Sequence, residues 1–232
     1  MTNRSRTAIA LAVAAGALTS AANAGVILTY TYHDLAGSYA ASSADTGMFT
    51  AIAVNQNGGL RSAGEVSRTD SNPGSASFEV GFPGGGTMAA FSMTCSFTRD
   101  GTFPGILGSG VGSFTATDAD GDTITGDVIG TWLFDAVNNF IYLNASLANV
   151  LVSDNGNQDD EFNGSQLGDF QISGLGNAPF EGALTQITFG AGNFFFADFQ
   201  DKATGLTAQI LPAPGSLALL GLGGLVAARR RR

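Results

Sequence analysis

Three aspartates at alternate positions, Asp118, Asp120 and Asp122, are the densest set of chemically useful groups in the chain. Alternate carboxylates on a tight loop supply hard oxygen ligands, the donor type that Ca²⁺ prefers. The spacing matches the first three ligands of a helix-loop-helix calcium site, and the match ends there. Such a loop needs Gly at its sixth position and Glu at its twelfth, where this chain has Thr123 and Ile129. Gly126 at the ninth position brings no side-chain ligand, and Asp127 falls one residue late. The same residues also suit a plain hairpin tip, where Asp-Gly favours a turn and the carboxylates are solvated. The cofactor reading is therefore Ca²⁺ at Asp118, Asp120 and Asp122, set against a solvated turn. A second acidic stretch, Asp154 to Glu161, reads as a polar loop with weaker spacing.

Other chemistry has less to build on. His33 is the sole histidine, and it shares the polar face of a strand with Thr29 and Thr31. Cys95 is the sole cysteine. It falls on the apolar face of an alternating run, where a free thiol behaves as a small hydrophobe. One cysteine cannot form an intrachain disulfide, and no Cys/His cluster offers a zinc site. Glu65, Glu79, Glu161 and Glu181 could furnish a glycosidase-type carboxylate pair, but sequence gives no separation between them. No Gly-rich phosphate loop follows a strand and opens a helix, so the glycines read as turn residues.

The elements that must position these groups are short strands. The cleanest is Phe91 to Thr98, where Phe91, Met93, Cys95 and Phe97 alternate with Ser92, Thr94, Ser96 and Thr98. Gly25 to His33 alternates likewise, with Leu28, Tyr30 and Tyr32 on one face. Further strands are expected at 48–54, 76–82, 111–117, 123–134, 140–152, 170–175, 183–189, 194–199 and 205–210, with 55–75 as a loop. Ile141, Leu143, Ala145 and Leu147 should share a face. No repeat of fixed period is visible, which argues against a propeller or β-helix. The fold expected is all-β: one antiparallel β-sandwich domain, jelly-roll-like, over residues 25–209.

Both ends are sorting segments in type. Arg4 and Arg6 precede an apolar run from Ala8 to Leu18, and Ala22-Asn23-Ala24 offers a small-x-small cleavage site. Residues 1–24 therefore read as a secretory signal peptide cut after Ala24, engaging the general export machinery and signal peptidase. At the other end, Pro212-Ala213-Pro214-Gly215 leads into a 12-residue apolar run, Leu217 to Ala228, and then into Arg229 to Arg232. A bilayer needs about 20 apolar helical residues. Residues 211–228 thus make a marginal span with a basic stop that stays cytoplasmic.

The tail, over 212–232, resembles the PEP-CTERM sorting signal: a Pro-Glu-Pro motif, a short transmembrane stretch and a basic end. Ala213 stands where that family usually has Glu. The resemblance implies an exosortase-like membrane transpeptidase as a partner, and association with bacteria that make extracellular polysaccharide. The division expected is a signal peptide, the β domain, and a sorting segment over 210–232.

Charge supports an exported body. Arg61, Arg68, Arg99 and Lys202 are the four basic residues outside the two end segments, against 19 acidic residues, a net charge of −15. Such a surface disfavours nucleic acid, whose phosphates need basic partners. The function expected is a non-catalytic structural or binding role at the cell surface or in the extracellular matrix, with polysaccharide as a partner through exposed aromatics. The alternative is an exported carbohydrate-active hydrolase using a carboxylate pair. Asn144-Ala-Ser146 and Asn163-Gly-Ser165 match glycan-acceptor spacing.

Overall fold

A computed structural model describes residues 26–79, 90–100, 106–156, 159–165, 167–175, 180–190 and 195–212. The signal segment with Ala22 and Ala24, the motif residues Ala213 to Gly215 and the arginine tail lie outside the described residues. So do the last residues of the strand expected at 76–82.

The described chain is all-β, about 71% strand with no helix. In order, β1 is Leu28–Ala41, β2 Thr46–Ile52, β3 Asn55–Asn57, β4 Leu60–Arg61, β5 Ala63–Arg68, β6 Gly74–Phe78 and β7 Ala90–Thr98. Then β8 is Ile106–Thr117, β9 Thr123–Asp135, β10 Phe140–Ser153, β11 Glu161–Asn163, β12 Asp169–Gln171, β13 Phe180–Gly190 and β14 Phe199–Pro212. Ten strands form one antiparallel sheet, ordered β14-β13-β10-β9-β8-β7-β2-β1-β5-β6, and β14 also pairs with β1. Eight strands therefore close into a ring. Ring neighbours follow one another along the chain, with β3–β6 and β11–β12 as excursions. This is up-and-down connectivity, without the Greek-key crossover of a jelly roll.

Alternation puts one face of each strand inside. Phe91, Met93, Cys95 and Phe97 of β7 are all buried, as their period of two requires. Tyr30, Tyr32, Phe49, Phe114, Val128, Trp132, Ile141, Leu143, Leu147, Leu206, Ala208 and Ile210 join them. Ala145, expected with its neighbours on β10, is only partly buried. Tyr30, Phe91, Phe114, Leu147, Leu206 and Ala208 bound an interior void of about 10 Å³, about the space of one water. Side chains fill the ring here, as in other small barrels.

β1 is shared between two partners on one side. Its first half, Leu28 to His33, pairs with β5, and its second half, Ala36 to Ala41, pairs with β2. The changeover is a bulge in which Asp34 adopts φ 54°. Buried Ser62 ties the split together: its hydroxyl donates to the Asp34 carbonyl and accepts the Val54 N–H, both at 2.9 Å.

Several sequence expectations need correction. Residues 55–75 are not one loop, since β5 crosses them and binds β1. The strand expected at 194–199 begins only at Phe199. Phe195 turns with φ 61° and is fully buried, with its ring 4.5 Å from that of Phe97 and 4.9 Å from that of Trp132. The glycines are not all turn residues: Gly108 and Gly110 are buried within β8. Finally, β14 runs through Pro212, where Phe180 pairs with Pro212, Glu181 with Leu211 and Gly182 with Ile210. The boundary expected between 209 and 210 falls inside this strand. Leu211 and Pro212, assigned to the membrane-directed segment and the sorting motif, are part of the sheet.

Candidate metal centre

The three aspartates occupy the tight connection between β8 and β9. Asp118 organises it. Its Oδ1 accepts the backbone N–H groups of Asp120, Gly121 and Asp122 at 3.1, 2.7 and 2.8 Å. Its own N–H donates to the Asp122 carbonyl at 3.0 Å. Gly121 sits at φ 115°, a conformation that a side chain would strain. One carboxylate thus collects three amides that would otherwise be unpaired on a loop drawn inward. Asp118 and Asp122 are fully buried.

The second acidic stretch arrives at the same place. Asp118 Oδ2 accepts the Asn163 N–H at 2.6 Å, and the Ala119 N–H donates to the Asn163 carbonyl at 3.1 Å. Asp122 Oδ1 accepts the Asn155 N–H at 2.7 Å, and the Asn155 side-chain amide donates to the Asp120 carbonyl at 2.6 Å. Asp159 stands within hydrogen-bonding reach of Asp120. The Asn163 amide lies 3.4 Å from a carboxylate oxygen of each. The stretches that look separate in sequence form one cluster, linking the β8–β9 tip to the connection after β10 and to β11.

Asp118, Asp120 and Asp122 each offer a carboxylate oxygen, and these lie within 4.8 Å of one another. Burial pushes the Asp120 carboxyl above its ordinary value, and Asp118 adds to the shift. Burial does the same to Asp122, reinforced by the charges of Asp120, Asp154 and Asp159. Both shifts report crowded negative charge held partly out of water. An all-oxygen set of this kind suits a hard cation. Asp127 stands apart and accepts the Asn149 amide at 2.7 Å.

The remaining candidates separate. Cys95 is fully buried. Burial pushes its thiol up to about 12, the opposite of an activated nucleophile. His33 lies exposed beside the β1 bulge. Glu65 and Glu79 share an open groove of about 390 Å³ with His33, Thr29, Thr31, Ser67 and Ser77 on the outer face of β1, β5 and β6. Glu161 lies in β11 and Glu181 in β13, outside that groove. Among the described residues, Phe140 and Phe196 are the aromatics left exposed. Arg99 covers the Phe196 ring at 4.2 Å. Of the glycan-acceptor asparagines, Asn144 is exposed on β10, whereas Asn163 is engaged in the cluster. The sequence offers Asn155 and Asp159 only as members of the weaker acidic stretch, and Asn163 only as a glycan-acceptor match, not as partners of the three aspartates. Their only local signal is the Asp/Asn-rich composition of 154–163.

The fold and cluster define a closed antiparallel β-ring with an acidic, oxygen-lined tip. No family model, curated protein or solved structure matches the chain.

Proposed function

We propose that the chain is an exported, surface-sorted bacterial protein with a non-catalytic structural or binding role among extracellular polysaccharide. In this reading a signal peptide and a PEP-CTERM-like tail flank one all-β domain, the closed ring, and an exosortase-like transpeptidase processes the tail. One observation carries it: the apolar run and the four arginines lie wholly beyond Phe199–Pro212, the strand that closes the ring against β1. Processing there would leave the ring intact. The body charge of −15, from four basic and 19 acidic residues, suits a soluble exterior domain. The non-catalytic reading draws support from Cys95 lying inside the ring while His33 lies outside it. The test is the intact mass of the protein recovered from cells that make it. A species from Gly25 to the 212–215 region supports sorting with tail removal. A species that retains Arg232 leaves a plain anchor and removes the transpeptidase.

The groove favours a second reading, an exported hydrolase acting on polysaccharide. It brings two carboxylates, Glu65 and Glu79, to one surface lined with hydroxyls. Turnover of secreted polysaccharide that is lost in both Glu65→Gln and Glu79→Gln would establish this reading. Binding without turnover would favour the first.

A further inference from the structure

We propose that Asp118, Asp120, Asp122 and Asp159 hold one Ca²⁺ ion, which pins the β10–β11 connection to the β8–β9 tip. The proposal is independent of how the tail is sorted.

The cluster alone would not carry this, because carboxylates gather on many surfaces without an ion. The deciding observation is Asp122. Its side chain is fully buried, and its Oδ2 accepts no hydrogen bond. Buried carboxylate oxygens in folded proteins are paired, because an unpaired one loses its hydration without return. Among the described residues no basic side chain pairs with Asp118 or Asp122. Arg68 pairs instead with Asp70, and Arg99 with Asp45. A cation between the carboxylates would give Asp122 Oδ2 its partner and neutralise the crowded charge at once.

The donor chemistry selects the ion. All candidate ligands are oxygens, while the histidine and the cysteine lie elsewhere in the ring, so borderline metals such as zinc gain little here. Mg²⁺ demands near-ideal octahedral geometry and keeps its waters, whereas Ca²⁺ accepts irregular carboxylate sets. Asp118 suits a double role. Its Oδ1 is committed to three loop amides, while its Oδ2 accepts the Asn163 N–H at 2.6 Å and has lone-pair capacity beyond that bond. The ligands come from two connections, the β8–β9 tip and the one that follows β10, so binding would couple the one to the other.

The test uses the full-length chain in detergent, titrated with CaCl₂ by calorimetry. Thermal unfolding is then compared in CaCl₂ and in EGTA at matched ionic strength. The expected result is one Ca²⁺ per chain, with a Kd of about 10⁻⁴–10⁻³ M, the range of extracellular modules. At 5 mM CaCl₂ the Tm should rise by about 2–8 °C. Asp122→Asn should weaken binding at least about tenfold and remove the Tm rise. In EGTA the same variant should be as stable as the parent or more so, since it deletes a buried like charge and keeps the acceptor for Asn155. A purely structural aspartate would instead lose stability in EGTA. Asp120→Asn gives the same readout without touching the Asn155 contact. An absent calcium heat, an equal shift with MgCl₂, or a shift retained in both variants would overturn the proposal.

Discussion

The Trp132 indole on β9 donates its N–H to the backbone carbonyl of Ser96 on β7, at 3.0 Å, across the full width of β8. It can do so because β8 presents glycine beneath the ring. A Cβ on Gly110 would lie 2.6 Å from Trp132 Nε1 and from the Ser96 carbonyl, and 2.8 Å from Cys95 Sγ. The Val111 N–H turns to the Ser96 hydroxyl at 2.9 Å.

Gly110→Ala should therefore destabilise the domain by about 2–4 kcal/mol, through overpacking and loss of the indole hydrogen bond. Urea unfolding followed by the single tryptophan reads this directly. A loss under 1 kcal/mol would show that the ring relaxes without effort.

Cys95 should be inert in the native protein. With its thiol pushed up to about 12 and no surface exposed, a thiol reagent at pH 8 meets neither thiolate nor access. Labelling should track global unfolding and accelerate with urea. Rapid labelling of the folded protein would contradict the packed ring.

Arg68 ties the excursions together. It pairs with Asp70 at 2.7 Å, donates to the Ser173 carbonyl at 3.0 Å, and also donates to the Gln171 carbonyl. The hydrogen bond from Arg68 holds the Asp70 carboxyl below its ordinary 3.8. A depressed carboxyl contributes stability above its unfolded value and loses it as pH falls through the lower folded value. Asp70→Asn should cost about 1–3 kcal/mol at neutral pH. That difference should close as the pH is taken below 3.8, in acid-unfolding curves of the two proteins. A gap that persists at the acid end would place the effect outside the ion pair.

Asp118 has a structural duty apart from any ion. Asp118→Ala unpairs three loop amides and should cost about 2–4 kcal/mol in EGTA, whereas Asp120→Ala should cost far less. Denaturant midpoints of the two variants decide this.

The sequence shows the strands best where the two faces differ sharply. Phe91 to Thr98 alternates without interruption and was readable as a strand with Cys95 inside. Leu28, Tyr30 and Tyr32 were equally plain. The bulge at Asp34 then shifts the phase, so Leu35 and Tyr39 point inward while no local residue announces it. β5 was hidden because it is nearly featureless. Its Gly64 is required by the Tyr32 ring, which would lie 2.0 Å from a Cβ, and no neighbour in sequence shows that need. Of the acidic site, the spacing of Asp118, Asp120 and Asp122 was visible. Asn155 and Asn163 reach it from 33 and 45 positions away, a distance that only the folded topology closes.

The pairing of β1 with β14 sets the order in which the molecule can be completed. A chain that emerges from its N-terminus delivers β1 first and its partner Phe199–Pro212 last. Until then one flank of Leu28–Tyr39 stays an open edge bearing Tyr30, Tyr32 and Tyr39, the kind of edge that recruits other strands. Neither half of the body can seal itself, because the seam joins the earliest residues to the latest. The last strand acts as a clasp, and the domain is finished only when Pro212 has come clear.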